Sequence, residues 1–252
     1  MLCLIGLGLY DTDDISLKGL NVLKDSHRIY AEFYTSLHHA DLSRLEKLCG
    51  KRITPLKRED IEEHPSDNVL KDAQKQTVSL LVPGDPMVAT THIDLILRAE
   101  KAGIKTRIIH SSSVYSAIAE TGLQIYKFGK TTTLAYPERN YFPTSPYDVI
   151  KDNQNHGLHT LVLLDVKAEQ KRYMTAGEAI GLLLRMEEEK GQKVCEGNTR
   201  LVGVARLGGD TLIRFGSADS LQKADFGKPP HVLVVPGELH YMEEAALNRF
   251  KV

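Results

Sequence analysis

Cysteine and net charge are both scarce in this sequence. The 252 residues include three cysteines and no tryptophan, and the formal net charge is only −1. Cys3, Cys49 and Cys195 lie far apart without a C-x-x-C pair, which argues against a disulfide framework or a structural zinc site and fits a reducing cytoplasm. The chain also lacks the excess of basic residues that nucleic-acid binding requires. We therefore expect a cytoplasmic protein that acts on a small molecule or another protein, with no nucleic acid as partner.

Long hydrophobic runs are absent as well. No stretch approaches the roughly 18 apolar residues of a membrane-spanning helix, so no membrane segment is predicted. The apolar start, MLCLIGLGLY, lacks a basic flank and runs directly into the acidic residues 11–14, which predicts a buried strand rather than a signal peptide. Hydrophobic residues nonetheless make up 42% of the sequence, enough for a sizeable core in one large domain or two ordinary ones.

Several common motifs of catalysis and metal binding are missing. The sequence contains neither the P-loop pattern G-x-x-x-x-G-K-[ST] nor the nucleophile elbow G-x-S-x-G. The run Asp11-Thr12-Asp13-Asp14 lacks the spacing of a calcium loop, so capping is its expected role. The pairs His38-His39 and His156-x-x-His159 have no third ligand nearby in sequence, which favours solvated histidines. No metal site is predicted.

Two glycines, Gly6 and Gly8, follow the first apolar run, at the place where a dinucleotide-binding G-x-G-x-x-G motif begins. Asp11 stands where the third glycine is needed, and the predicted helix starts late, so the motif is incomplete. Two other interpretations remain open. The glycines could permit a tight turn without steric cost, or they could allow a ligand to approach the backbone closely.

Apolar strand-like runs alternate with amphipathic helical patterns along the chain. We predict strands at residues 2–5, 28–34, 78–82, 106–110, 160–166, 200–205, 211–215 and 231–235. We predict helices at residues 15–24, 42–48, 88–101, 113–120, 176–190, 218–224 and 241–250, with further helical pieces in 58–76. Thr12 or Asp13 is expected to cap the first helix, and Ile93, Ile96 and Leu97 are expected on one face of the helix at 88–101.

Strand–helix alternation of this kind is typical of a mainly parallel sheet that is covered by helices. The predicted fold class is therefore α/β, with two α/β domains. We assign the N-terminal domain, with a mainly parallel sheet, to residues 1–112 and the C-terminal domain to residues 113–252, with the boundary somewhere within 111–146. A cleft between two such domains is a usual place for a ligand.

Three short polar or glycine-rich segments follow predicted strands. They are Gly6-Leu7-Gly8, Pro83-Gly84-Asp85-Pro86 and Ser111-Ser112-Ser113. Each alone also fits an ordinary turn or helix cap, but the carboxyl ends of parallel strands gather at one edge of a sheet, where ligands bind. The two prolines fix the backbone around Asp85. We therefore expect Asp85 to position a cofactor rather than to act as a base.

Four stretches of the sequence resemble the diphthine synthases, the methyltransferases of diphthamide biosynthesis. They are MLCLIGLGLYDTDDISLKGL, VPGDPMVATTH, IIHSSSVYSAIAETGLQIYKFGKTTTL and FGKPPHVLVVPGELHYMEEAAL, and the resemblance runs over nearly the whole chain. The G-x-G start and the PGDP loop are shared more broadly with methyltransferases that resemble the tetrapyrrole methylases. That class has two α/β domains, binds S-adenosyl-L-methionine in the cleft between them and usually forms homodimers.

The resemblance implies a substrate and a set of cofactor contacts. The substrate would be translation elongation factor 2, at a histidine that carries a 3-amino-3-carboxypropyl group, whose amino group would be methylated to give diphthine with S-adenosyl-L-homocysteine as by-product. The contacts with the cofactor would come from Leu9, Asp85, Val88, Ser113, Val114, Leu164, Ala205 and His231. No residue is assigned a catalytic role. In its length of 252 residues, the chain resembles the archaeal form rather than the longer eukaryotic one.

Residues 136–147 predict a surface for docking the large protein substrate, because they combine tyrosines and prolines with Arg139 and Asn140. Two alternatives to the main assignment remain. The first is a related methyltransferase that acts on a tetrapyrrole-type small molecule, and the second is a cofactor-binding module without catalysis. Methylation of modified elongation factor 2 would separate both from the main assignment.

Overall fold

A computed structural model describes residues 1–139 and 141–252 of the chain. The chain divides into two compact units, Met1–Val114 and Tyr115–Val252. Each unit contains its own five-stranded sheet. In the part of the chain that the structure describes, none of the helices combines the length and the apolar character needed to cross a membrane.

Unit 1 is a parallel sheet flanked by helices. Its strands are β1 (Leu2–Gly6), β2 (Arg28–Glu32), β3 (Ile53–Leu56), β4 (Val78–Val82) and β5 (Thr106–Ile109). They lie in the order β3-β2-β4-β1-β5, and every pair is parallel. The helices are α1 (Leu17–Asp25), α2 (Leu42–Cys49), α3 (Arg58–Glu62), α4 (Val69–Lys75) and α5 (His92–Lys101), and α6 (Val114–Ala117) begins at the last residue of the unit. All residues of β1 and β4 are buried, as expected for central strands of a parallel sheet.

Unit 2 contains a mixed sheet. Its strands run in the order β11-β10-β12-β7-β6, where only β6 and β7 are parallel. Their bounds are β6 (Thr132–Leu134), β7 (Thr160–Leu164), β10 (Arg200–Ala205), β11 (Leu212–Ser217) and β12 (His231–Val235), and a separate antiparallel hairpin is formed by β8 (Val166–Lys167) and β9 (Arg172–Tyr173). The helices are α7 (Ser145–Asn155), α8 (Ala176–Lys190), α9 (Ala218–Gln222) and α10 (Tyr241–Asn248).

The α/β fold class that the sequence predicts is confirmed. Helix α8 could be located from the sequence because residues at both of its ends mark where it starts and stops. Thr175 accepts a hydrogen bond from the Glu178 amide, and the Glu178 carboxylate accepts one from the Thr175 amide, which closes a capping box. Gly191 then ends the helix with a φ of 61° in the left-handed region. The predicted bounds, 176–190, are those observed.

The helix predicted at 88–101 begins later than expected, at His92. Residues 87–91 form turns instead, and Ala89 has a φ of 54°, which a helix does not accommodate. The expected face is also wrong, since Ile93 is 51% exposed and Leu97 is 57% exposed. The buried positions are His92, Leu95, Ile96 and Ala99.

The expected cap of the first helix needs correction. Ser16 caps α1 by accepting from the Gly19 amide, so neither Thr12 nor Asp13 is the cap of this helix. Asp11 caps a short 3-10 turn at Thr12–Asp14, which fits the capping role expected for the acidic run.

Apart from Asn140, the stretch around residues 131–149 contains regular elements and buried residues that the sequence did not predict. It contains β6 and the start of α7, where Pro146 lies in the first turn and its missing N–H costs no helical hydrogen bond. Tyr136 and Tyr147 belong to the core of unit 2 rather than to a surface, whereas Tyr141 is 66% exposed. Asn140 lies outside the described residues.

Candidate functional site

The loops that follow β4, β1 and β5 lie side by side, because these three strands are neighbours in the parallel sheet of unit 1. We name them the β1 loop (residues 7–9), the β4 loop (residues 83–91) and the β5 loop (residues 110–113). The structure thus brings together the three segments that the sequence singled out at strand ends. The carboxyl edge of a parallel sheet is a common ligand site.

Glycines join the β1 and β4 loops through their backbones. The Gly8 amide donates to the Gly84 carbonyl (3.1 Å), and the Gly84 amide donates to the Gly8 carbonyl (2.7 Å). Both residues have positive φ, 87° for Gly8 and 67° for Gly84, a conformation that glycine adopts without steric cost. A Cβ built on Gly6 would lie 2.5 Å from the Gly84 carbonyl oxygen and 2.7 Å from the Ser111 Cβ. Gly6 therefore allows all three loops to approach one another.

Asp85 ties the β4 loop to the β5 loop. Its Oδ1 accepts from the Met87 amide (2.9 Å), and its Oδ2 accepts from the Ser111 amide (3.1 Å). The Nδ1 of His110 lies 2.9 Å from the same Oδ2. The carboxylate is 5% exposed and is thus held by bonds within the protein. Sequence reasoning missed His110, because this residue was taken as the last of a strand.

The other residues of unit 1 that the resemblance implies as cofactor contacts also lie in these loops. Leu9 follows Gly8 and is partly buried, and Val88 is partly buried in the β4 loop, where its amide donates to the Asp85 carbonyl (3.1 Å). Ser113 is 7% exposed at the end of the β5 loop, and Val114 begins α6. All of them therefore lie at the carboxyl edge of the sheet.

The corresponding residues of unit 2 lie at one edge of the mixed sheet. Ala205 is the last residue of β10 and pairs with His231, the first residue of β12. Leu164 is the last residue of β7, which is also antiparallel to β12. Because β7 and β10 therefore run in the same direction, Leu164, Ala205 and His231 share an edge.

His231 is held as a neutral imidazole with a defined tautomer. The Ala176 amide donates to its Nδ1 (3.1 Å), so the proton resides on Nε2, which donates to the Lys228 carbonyl (3.1 Å). Burial lowers the pKa of this histidine. Both ring nitrogens are engaged, and the side chain can present a fixed surface to a ligand but is not free to exchange a proton.

Of the paired histidines that were expected to be solvated, two are exposed and two are not. His159 is fully buried rather than solvated: its Nδ1 accepts from the Gly237 amide (2.9 Å), and its Nε2 donates to Glu243 (3.0 Å). His38 is half-buried, and burial lowers its pKa to about 4. His39 and His156 are exposed. Among residues 1–139 and 141–252, no group of three or more His, Cys, Asp or Glu side chains is arranged to hold a metal ion.

Comparison with known proteins defines the class to which this fold and these loops belong. Residues 1–210 match the family model of the tetrapyrrole (corrin/porphyrin) methylases. The chain therefore belongs to this methylase family, and the α/β architecture of the two units agrees with that assignment.

Proteins that are similar over nearly the full length of the chain narrow the comparison to one kind of methyltransferase. A diphthine synthase from Methanocella arvoryzae is 49% identical over 251 residues, which cover 98% of this chain and 97% of the relative. A diphthine synthase from Methanococcus maripaludis is 47% identical over 250 residues, covering 98% of both chains. A solved structure from Entamoeba histolytica, assigned as a diphthine synthase, superposes with a TM-score of 0.92 at 38% identity and covers 100% of this chain and 98% of its own.

Proposed function

We propose that this protein is a diphthine synthase. It methylates the amino group of the 3-amino-3-carboxypropyl-histidine of translation elongation factor 2, which gives diphthine in diphthamide biosynthesis. The observation that carries this proposal is the 47–49% identity with diphthine synthases over nearly the whole of both chains. A match to the broad family alone would leave a tetrapyrrole-type substrate equally open, and the full-length similarity favours the protein substrate.

The loops of unit 1 have the features that a nucleoside-containing cofactor needs. The glycines at positions 6 and 8 allow the polypeptide to pack closely at this edge of the sheet, and the open space beside Gly84 leaves room for a ligand to approach the backbone. S-adenosyl-L-methionine, when bound, supplies a methyl group on a positively charged sulfur, and S-adenosyl-L-homocysteine is the by-product. We assign its contacts to Leu9, Asp85, Val88, Ser113 and Val114 of unit 1 and to Leu164, Ala205 and His231 of unit 2.

The reaction places modest demands on acid–base catalysis. For a direct displacement, the acceptor amine would need a free lone pair to bond to the methyl carbon, and the sulfur would leave with the electron pair of the broken carbon–sulfur bond as a neutral thioether. No acid is therefore needed, and the proton that the amine gives up passes to solvent. Asp85 and His231 are committed to hydrogen bonds within the protein, so they serve to hold the site in place. Alignment of the reacting groups contributes up to roughly 7–11 kcal/mol to such reactions.

Further parts of the proposal concern assembly and docking. The protein acts in the cytoplasm, as a homodimer, and elongation factor 2 docks on the surface around Arg139 and Tyr141. Both of these residues are exposed, which supports a docking role. A docking site formed by all the tyrosines of residues 136–147 is not retained, since Tyr136 and Tyr147 are buried.

Mass spectrometry tests the proposed function directly. Elongation factor 2 that carries the unmethylated precursor is incubated with the protein and S-adenosyl-L-methionine, and its mass is expected to rise in steps of about 14 Da, the mass of one methylene. Absence of any such step would refute the assignment. Arg139→Glu in the same assay is expected to slow methylation without weakening cofactor binding, because the reversed charge disturbs docking alone. Unchanged methylation by this variant would exclude Arg139 from the docking surface.

A further inference from the structure

The β8–β9 hairpin lies next to the unit 2 edge to which cofactor contacts are assigned. It begins two residues after Leu164, at Val166. It ends at Tyr173, shortly before Ala176, whose amide donates to the Nδ1 of His231 (3.1 Å). The hairpin is thus connected at both ends to residues of the proposed site.

Two cations face each other across this hairpin. Lys167 and Arg172 are directly opposite partners in the β8–β9 register. Like charges at such positions repel each other and destabilise a hairpin unless an anion lies close to them. Neither cation forms an ion pair with a carboxylate of residues 1–139 or 141–252. The two positive charges therefore remain available to an anionic ligand.

Tyr136 forms a platform beneath both cations. The Cζ of Arg172 lies 3.6 Å from the centroid of the Tyr136 ring, and the Nζ of Lys167 lies 5.8 Å from it. The Tyr136 amide donates to the Asp165 carboxylate (2.9 Å), which holds the tyrosine beside the hairpin. The ring face attracts the two cations and fixes where they lie.

The hydroxyl of Tyr136 is buried close to the same two cations. The Tyr136 side chain is 5% exposed, and its hydroxyl makes no well-formed hydrogen bond among the described residues, although the nearby Arg172 side chain can donate to it and thereby opposes the rise that burial causes in the pKa of this tyrosine. Two carboxylates act on this hydroxyl without bonding to it, and each has one oxygen engaged elsewhere: Asp165 Oδ2 accepts from the Tyr136 amide, and Glu178 Oε2 accepts from the amide and the hydroxyl of Thr175. A buried hydroxyl without an acceptor for its proton is costly, so its position beside two cations that form no ion pair indicates a ligand that accepts hydrogen bonds.

We propose that Lys167 and Arg172, on the Tyr136 platform, bind the carboxylate of an α-amino acid group. Arginine and lysine bind carboxylates through charge-assisted hydrogen bonds, and the arginine fork can do so in a bidentate manner. This inference rests on the proposed function, whose reaction offers two sources of the same chemistry. One is the 3-amino-3-carboxypropyl group of the acceptor histidine, and the other is the methionyl end of the cofactor.

Charge-removing variants with two readouts test the proposal and separate its two sources. Lys167→Gln and Arg172→Gln are compared with Lys223→Gln, which removes an exposed cation elsewhere on unit 2. The measurements are kcat/KM for methylation of modified elongation factor 2 and the Kd of S-adenosyl-L-homocysteine. Removing a charged hydrogen bond is expected to change the affected constant about tenfold or more. Arg172→Lys is expected to retain part of the function, since it keeps the charge but not the fork.

Each result has a defined meaning. If the acceptor supplies the carboxylate, kcat/KM falls while the Kd stays unchanged. If the cofactor supplies it, the Kd of S-adenosyl-L-homocysteine rises, whereas the Kd of its decarboxylated analogue does not. The proposal is overturned if neither constant changes beyond the Lys223→Gln control, or if the decarboxylated analogue loses as much affinity as the parent compound. If the wild-type protein binds S-adenosyl-L-homocysteine but does not methylate the factor, the proposed function is refuted instead. The Kd values of the variants for S-adenosyl-L-homocysteine then test on their own whether Lys167 and Arg172 bind a carboxylate.

Discussion

Gly6 is the residue on which the three loops of unit 1 depend most closely. It ends β1, and an added Cβ would meet backbone and side-chain atoms of the other two loops at 2.5 and 2.7 Å. Real Cβ atoms do not approach other heavy atoms this closely, so the loops would have to separate.

Gly6→Ala is therefore expected to weaken S-adenosyl-L-homocysteine binding at least tenfold and to lower the free energy of unfolding by about 1–3 kcal/mol, the usual cost of overpacking. Titration calorimetry and urea unfolding measure the two effects. Gly50→Ala is the matched control, since Gly50 ends α2 with a φ of 70° and has open space around its Cα. That variant should cost about 1–2 kcal/mol through its left-handed backbone and leave the Kd unchanged. Equal binding by both variants would contradict a role for Gly6 in the site.

The sequence predicted where strands β1, β4 and β5 of unit 1 end, but it did not predict the hydrogen-bond partners of the residues at those ends. Leucine and valine runs locate β1 and β4, and glycine or proline marks where each run stops. The bonds from Asp85 to Ser111 and His110 join loops that are distant in the chain, and only the parallel pairing of β4, β1 and β5 brings them together. Local patterns cannot specify such partners, which is why His110 was missed.

At the scale of elements, Glu243 links helix α10 to two other parts of unit 2. Its fully buried carboxylate accepts from the Gln124 amide (2.9 Å), the Lys127 ammonium (2.6 Å) and the Nε2 of His159 (3.0 Å). It also accepts from the His240 amide at the start of the helix (2.9 Å). These hydrogen bonds lower the pKa of Glu243 to about 2 despite its burial.

Glu243→Gln should lower the free energy of unfolding at pH 7 by about 3 kcal/mol, because it leaves the Lys127 charge and a backbone donor without an anionic acceptor. The folded pKa lies below the usual 4.5, so the carboxylate stabilises the protein above pH 4.5 and this contribution disappears as the pH falls towards 2. Urea unfolding of wild type and variant at pH 7 and pH 3.5 should thus show a smaller difference at the lower pH.

Glu244→Gln is the control for this measurement. Glu244 follows Glu243 in the helix but pairs with Arg200 (2.8 Å) at the surface, where both side chains are about half exposed. An exposed pair of this kind contributes about 0–1 kcal/mol, so its removal should have little effect at either pH. Similar losses in the two variants would show that Glu243 has no special structural role.

Helices and strands differ in how well their bounds can be predicted from the local sequence. Helix α8 carries its own start and stop signals, Thr175 with Glu178 and then Gly191, and its bounds were predicted correctly. Strands β3 and β6 were missed because both are short and lie at sheet edges, where pairing with a neighbour decides their conformation. The start of α5 was misplaced because the turns of the β4 loop replace its first predicted turn.

For the whole molecule, buried titratable groups in both units determine how stability varies with pH. Burial lowers the pKa of His92 to about 4 and also lowers that of His159. Between pH 4 and pH 6.5 the unfolded chain therefore binds more protons at these positions, and stability should rise with pH. Glu32 acts in the opposite sense, since burial raises the pKa of its carboxyl from 4.5 to about 7.

Glu32→Gln should make the rise of stability with pH steeper. The folded protein keeps a proton on Glu32 that the unfolded chain releases between pH 4.5 and 7, so wild type loses stability from this group as the pH rises through that window. Glutamine removes this loss and can still accept from the Tyr34 and Thr35 amides. Urea unfolding at four pH values from 4.5 to 7.5 measures the slopes, and identical slopes for both proteins would contradict the assignment.

The strand order of unit 1 has a consequence for synthesis on the ribosome. Strand β1 is the first to emerge, yet its two partners begin only at Val78 and Thr106. At usual elongation rates of 5–20 residues per second, this apolar strand waits roughly 5–20 s for its second partner. Strands β10 and β11 of unit 2, by contrast, are sequence neighbours that pair with each other and can form as they appear. The first unit therefore exposes an unpaired apolar strand during much of its own synthesis.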